Sequence, residues 1–393
     1  MPERNQPTSL LRCIFFALHA FLLAGTACSQ QADTLTFFSK AFGQERSVII
    51  HLPEFYHYQS DSVQLPVVYV LDGQHEWFAN PLLSTLRYLQ YTHEMPAALT
   101  VVIPHVNRNE ECAITTLDEV LPLHRFITED LEAQLAAYQP NPYRVIIGHS
   151  FSASFALYSA TRSPDFYSAV LSCTPLDNLE ELIKHFQADK SFDLSKLYLA
   201  TGSIAREKDY YHRREYDQLK QRYPMFFSAI HTVEADYASH NAVPIVAVPS
   251  FLTQPFAGFS SRYVKLAEVD MEYRLVQMPT SVQEELVKLR QASRLGSYYY
   301  APELPDINGL ASRYGSSGLA DYSAAVYEEG IRYYPNYFEF YLSLYDYYLE
   351  TNMDRAKFCL LKAEELLQRL EMGYPDTQEI LDAVVEERAR QGW

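Results

Sequence analysis

The chain has no C-x-x-C pair, no H-E-x-x-H helix and no glycine-rich phosphate loop in its 393 residues. These absences argue in turn against thiolate zinc and dithiol redox sites, helical metallopeptidase centres and nucleotide-phosphate cradles. Five widely spaced cysteines make a disulfide framework a poor fit for so large a chain. Basic residues are also scarce, with 32 Lys and Arg against 49 Asp and Glu and a formal charge of −17. Nucleic acid and anionic lipid surfaces need clustered cations, so neither is an expected partner. No metal and no cofactor are expected.

The N-terminus carries Arg4 and Arg12, an apolar run from Cys13 to Leu23, and then "AGTAC". That run falls short of the roughly 20 residues of a helical membrane span and has the layout of a secretory signal over residues 1–27. Cys28 behind "LLAGTA" resembles the cysteine of a bacterial lipoprotein cleavage site, although Gly25 replaces the leucine usual three positions earlier. Ordinary cleavage after Ala27 is the alternative. Both readings export the chain to the bacterial cell envelope or periplasm, with membrane contact only through a lipid on Cys28.

A length of 393 residues at 48% apolar content predicts two domains with ample core. From 34 to 255, short apolar runs alternate with helical stretches. The runs include "PVVYVLDG", "LTVVIPHV", "YRVIIGHS", "YSAVLSC" and "KLYLATGS". Several are continuous Val/Ile/Leu blocks, as in strands covered on both faces, so the expected fold is α/β with a doubly wound, mostly parallel sheet. "TLTFFSKAFGQERSVIIHLP" reads instead as an antiparallel edge hairpin. Residues 256–393 read as helices only. Their Ala/Tyr spacing around Pro335 and Asn352 is similar to a tetratricopeptide helix pair, too few repeats to stand alone. This small module is expected to lean on the first domain, with its aromatic stripe as core.

Chemistry is concentrated at "VIIGHSFSASFAL", where an apolar strand, a Gly148-His149-Ser150 turn and a helix follow one another. That is the setting in which G-x-S-x-G raises a nucleophilic serine, here with Ser152 in place of the last glycine. The other reading of Ser150 is a small polar residue at an ordinary strand–helix junction. A nucleophile needs a base and an orienting acid, which in doubly wound hydrolases follow in the order Ser, acid, His. Glu207 and Asp209 lie after "KLYLATGS", and His240 lies after the last strand. Glu207 is preferred over Asp209 because it is nearer the strand end, and Glu234 and Asp236 stand next in line. His149 is expected to pack under the elbow, Cys173 to be a buried small hydrophobe, and "YYHRREYDQLKQRY" to be a solvated helix face laced with charge pairs.

The segments "VVYVLDGQHEWF", "VVIPHVNRNE", "GHSFSASFALY" and "SHNAVP" together make the first domain similar to the esterase D-like branch of alpha/beta hydrolases, which includes siderophore and feruloyl-type esterases. The resemblance implies an exported serine hydrolase cleaving small-molecule or sugar-linked carboxylic esters through an acyl-enzyme. It implies oxyanion donors at the backbone N–H groups of Gln74 and Phe151, and substrate contacts from Asn107 and Arg108. The alternative for that pair is a solvated turn with an ion pair to Glu110 or Glu111. "SCTP" at Ser172–Pro175 departs from the family's usual "S-P-S". Two other functions stay open: an acyltransferase, and a non-catalytic binding protein that recruits a protein partner through its helical module.

Overall fold

The computed structural model describes residues 32–175, 177–203, 207–370 and 377–393, and the side chains of residues 207–211 lie outside that description. The expected signal and Cys28 also fall outside it. The first domain contains strands β1 (Ala32–Ser39), β2 (Gln44–His51), β3 (Leu65–Val70), β4 (Leu99–Val102), β5 (Pro140–His149), β6 (Ala169–Cys173), β7 (Leu197–Gly202) and β8 (His231–Ala235). They form one sheet in the order β1-β2-β4-β3-β5-β6-β7-β8. The β1–β2 and β2–β4 pairs are antiparallel, and every other pair is parallel. The edge hairpin and the doubly wound parallel sheet are both present.

The unbroken apolar strands have a direct cause. Val67, Tyr69 and Leu71 point into one core, and Val68 and Val70 into the other. Helix α1 (Glu76–Tyr91) covers the second face with Phe78, Leu82 and Leu86. The helical stretch α2 (122–138), α3 (Phe151–Arg162) and α4 (Leu179–Ala188) cover the first. After β7 comes α5 (Glu207–Arg222), and after β8 comes α6 (Val243–Thr253), whose Val243, Ala247 and Phe251 pack beside α1. Cys173 is fully buried within this core.

The remaining residues are not purely helical. Turns fill most of 254–281, and a two-stranded hairpin, β9 (Arg294–Leu295) with β10 (Tyr298–Tyr299), follows α7 (Val282–Ala292). Phe256, Phe259 and Tyr300 pack into the sheet's own core, so aromatic chain past residue 255 still serves the first domain. Then come α8 (Leu304–Ser316), α9 (Ala320–Tyr333), α10 (Phe338–Thr351), α11 (Met353–Arg369) and α12 (Thr377–Arg390) around a separate core. The module leans on the first domain. Tyr333 O accepts from Ser60 N at 2.7 Å, and Glu303 Oε1 accepts from Ala97 N at 2.8 Å. Among the described residues, no helix is long and apolar enough to cross a membrane.

Two helical glycines of the module should respond oppositely to alanine. At Gly309 in α8 an added Cβ meets nothing within 4 Å, so Gly309→Ala should stabilise by about 0.5–1 kcal/mol through helix propensity. At Gly330 in α9 it would stand 2.8 Å from both Ile307 and Phe340, and overpacking should make Gly330→Ala destabilising by about 1–3 kcal/mol. Thermal unfolding of the two variants checks both signs.

Candidate active site

The turn between β5 and α3 sets Ser150 at φ 63° and ψ −120°, a conformation that costs a non-glycine residue roughly 1–3 kcal/mol. Neighbouring backbone holds it there. Ser150 N donates to Cys173 O on β6 at 2.9 Å, and Ser150 O accepts from Ala153 N and Ser154 N at 3.0 and 3.2 Å. Gly148 is required by close approach, because a Cβ would lie 2.2 Å from Ser152 O. The serine therefore stands on a strained elbow at the carboxyl end of a central strand.

His240 reaches the same edge from the loop between β8 and α6. Gly202 lets that loop in, since a Cβ there would meet Ala238 O at 2.2 Å, and Ser203 N donates to the same carbonyl at 3.2 Å. His149 ties the loop to the elbow. Its Nε2 lies 2.9 Å from His240 O, and the two rings are 4.6 Å apart. A carbonyl only accepts, so Nε2 carries the proton and donates. Burial pushes the His149 ring down to about 4, which keeps it neutral, and Trp77 and Phe78 pack against it. His149 thus packs under the elbow, and His240 lies beside the residue preceding Ser150. His212 of α5, which sequence reading assigned to a solvated helix face, puts its ring 5.2 Å from His240.

Glu207 opens α5, and its side chain and that of Asp209 lie outside the described residues. Glu234 and Asp236 are engaged elsewhere. Arg213 binds Glu234 at 3.0 Å and Asp236 at 2.7 Å, and Lys220 also reaches Glu234. The face of α5 expected to be solvated spends these charges on β8 and the turn that follows it.

The segments after β3 and β4 meet beneath the elbow. Asp72, at φ 62° and 1% exposed, precedes Gly73 and Gln74. Its carboxylate accepts from Arg108 Nε at 2.5 Å, from Arg108 Nη2 at 3.1 Å and from Ser152 Oγ at 2.7 Å. Arg108 Nη2 also donates to His149 O at 2.7 Å, and the guanidinium lies 5.6 Å from the Phe151 ring centroid. The alternative of a surface ion pair from Arg108 to Glu110 or Glu111 is therefore corrected. Glu111 is buried and taken by Arg46 at 2.9 and 3.0 Å and by His105 at 2.9 Å. Burial alone would raise the Glu111 carboxyl, but those bonds and backbone N–H groups hold it down at about 2. Asn107 is exposed, with Oδ1 capping the one-turn helix Arg108–Glu111, and the Gln74 side chain accepts from His105 N at 2.9 Å. The roles of Asp72, Arg46 and His105 were missed in the sequence, and Glu111 was considered only as a surface partner of Arg108. Asp72 and His105 stood in quoted segments, "VVYVLDGQHEWF" and "VVIPHVNRNE", and Arg46 carried no functional signal.

The Esterase family model matches residues 39–220. Over those residues, a little under half of the chain, the sequence is similar to a family described as a putative esterase. In fold, the chain is similar to an IroE-like serine hydrolase from Shewanella oneidensis, at 17% identity and TM-score 0.57 over 77% of this chain and 99% of that one. It is also similar to an uncharacterised protein from Capnocytophaga ochracea, at 16% identity and TM-score 0.52 over 91% of this chain and 100% of that one. Both likenesses cover more of the chain than the first domain does and extend into the helical residues. No curated protein matches the sequence.

The neutral His149 gives a pH prediction. Its folded pKa of about 4 lies below the ordinary 6.5, so between those values the unfolded chain binds a proton that the folded chain does not. Stability should therefore be unpenalised above pH 6.5, fall as pH drops toward 4, and level off below. In His149→Gln, denaturation midpoints between pH 4 and 6.5 should lose about one proton's slope, roughly 1.4 kcal/mol per pH unit. An unchanged slope would show that His149 is charged in the fold.

Proposed function

We propose that the protein is an exported serine hydrolase that cleaves small-molecule or sugar-linked carboxylic esters, with Ser150, His240 and Glu207 as its triad. The observation that carries this reading is Ser150 at positive φ on the elbow, with His149 bonded to the carbonyl of His240. His240 takes the Ser150 hydroxyl proton as Oγ attacks the ester carbonyl carbon. The resulting oxyanion is met by the N–H groups of Gln74 and Phe151, with Asn107 and Arg108 on the substrate side of the site. The carbon–oxygen bond to the alcohol breaks, and His240 returns its proton to the leaving oxygen. Water, deprotonated by His240, then attacks the acyl-serine, releasing the acid and restoring Ser150. Glu207 holds the imidazole and balances its transient charge. The signal over residues 1–27 carries the chain to the cell envelope, with Cys28 as its lipid anchor. The tetratricopeptide-like helices offer a surface for a protein partner.

Ser150→Ala should lower kcat on an activated aryl ester about 10³-fold or more while barely moving Tm. His240→Ala should cost as much, and the double variant little more, because the pair acts as a unit. A fluorophosphonate should label the parent and not Ser150→Ala; equal labelling would sink the assignment. kcat/KM should rise with pH and then level off as His240 loses its proton, since only the neutral imidazole can act as the base.

The acid has its own test. Glu207→Gln should reduce kcat by roughly 10³ to 10⁴, and Asp209→Asn should leave most activity. The reverse pattern would move the role to Asp209.

A further inference from the structure

We propose that Asp72, gripped by Ser152 and Arg108, is a positioning residue that locks together the two backbone segments forming the oxyanion hole. This rests on the reading above, in which Gln74 N–H and Phe151 N–H are the donors. Those donors belong to different parts of the chain, one after β3 and one at the start of α3. A hole is useful only if its donors are fixed before the oxyanion appears, since donors that must move into place stabilise it less.

Four hydrogen bonds fix the distance between the segments. Asp72 stands two residues before Gln74, and Ser152 directly follows Phe151. The bond from Ser152 Oγ to Asp72 Oδ2, 2.7 Å long, therefore spans from one donor's segment to the other's. Arg108 Nη2 makes a second bridge, 3.1 Å to Asp72 Oδ2 and 2.7 Å to His149 O, two residues before Phe151. Arg108 Nε closes on Asp72 Oδ1 at 2.5 Å and makes the grip bidentate. Behind the Gln74 side, His105 N donates to Gln74 Oε1, and His105 is itself bonded to Glu111.

Charge explains why arginine and the hydroxyl both act on one carboxylate. An unpaired buried carboxylate beside the hole would repel the developing oxyanion; bound bidentately to a guanidinium, it adds little net charge. Ser152, with no exposed surface, occupies the position where the elbow motif usually has glycine. Glycine would supply the small size but not this bond. The serine is thus a working part of the hole.

The test uses the full-length enzyme and an activated aryl ester, with active-site titration by fluorophosphonate to count competent sites. It compares kcat, KM and affinity for an aryl trifluoromethyl ketone, which forms a tetrahedral adduct on Ser150 with its oxygen in the hole. Ser152→Ala, which removes one hydroxyl, should lower kcat per competent site about tenfold with KM within twofold. Asp72→Asn should lower it about 10²-fold. Ketone affinity should fall in the same proportion in both, because only a displaced hole weakens turnover and adduct together. A lower Tm with unchanged kcat per titrated site, or a lower kcat with unchanged ketone affinity, would overturn the proposal. If Asp72→Asn does not fold, Ser152→Ala alone decides. Failure here is distinct from failure of the triad, which would show instead as an active Ser150→Ala.

Discussion

The site depends on two missing β-carbons at the ends of parallel strands. Without a side chain at Gly148, the carbonyl of Ser152 can approach β5 closely enough for α3 to start at once. That sharp start leaves Ser150 no ordinary φ, and the resulting strain is retained because β6 and the first turn of α3 hold its N–H and C=O. Gly202 does the same on β7, admitting the Ala238 carbonyl and drawing the His240 loop onto the sheet edge. The separation of Ser150 and His240 is therefore set by backbone packing, and flexible side chains need only complete it.

Beneath the elbow lies a chain of buried charges that hydrophobic packing alone would not need. Buried ion pairs are weak evidence of stability, because desolvation offsets most of their attraction. Their value here is direction. Glu111 is met by Arg46 from β2, by His105 and by the N–H groups of Val106 and Asn107, so its two oxygens are well supplied with donors. The loop after β4 is thereby fixed against the sheet, and through Gln74 and Arg108 it fixes the segments around Ser150. An apolar core could fill the same volume, but it could not specify hydrogen-bond geometry at Asp72.

The sheet was legible because burial on both faces writes itself as continuous Val/Ile/Leu blocks, and the elbow because Gly148, Ser150 and a small residue at 152 have local steric causes. Chain order then led to His240. What stayed hidden depends on distance in sequence. Arg46 and Glu111 are 65 positions apart, and Ser152 and Asp72 are 80, and no local pattern marks either pair. In the sequence Ser152 is explained by size alone, and the bond from its hydroxyl to Asp72 exists only in the fold. The hairpin at 294–299 was missed because two-residue strands have no period to read. It forms because Tyr298 and Tyr300 return to Tyr143 and Phe256 on the sheet's core.

The abundance of tyrosine and the net charge of −17 share part of their explanation in the helical module. Tyr314 OH donates to Glu285 at 2.6 Å, Tyr345 to Glu387, and Tyr348 to Glu328. Glu285 and Glu387 are buried, as are Glu329 and Glu364, which Arg290 and Arg388 hold. A tyrosine fills core with its ring while its hydroxyl donates to a carboxylate, a bond that phenylalanine could not make. Each of these carboxylates also has a cation, Lys288 on Glu285, Arg390 on Glu387 and Arg355 on Glu328, so part of the chain's acidity is held within the module. The same device reaches toward the first domain. Tyr333 bonds Glu329 and Tyr299, while its carbonyl receives Ser60 N. One residue thus joins the module's buried charge to the first domain. Tyr333 packs at the edge of both cores, so the helices touch the first domain through side chains as well as through the linking turns.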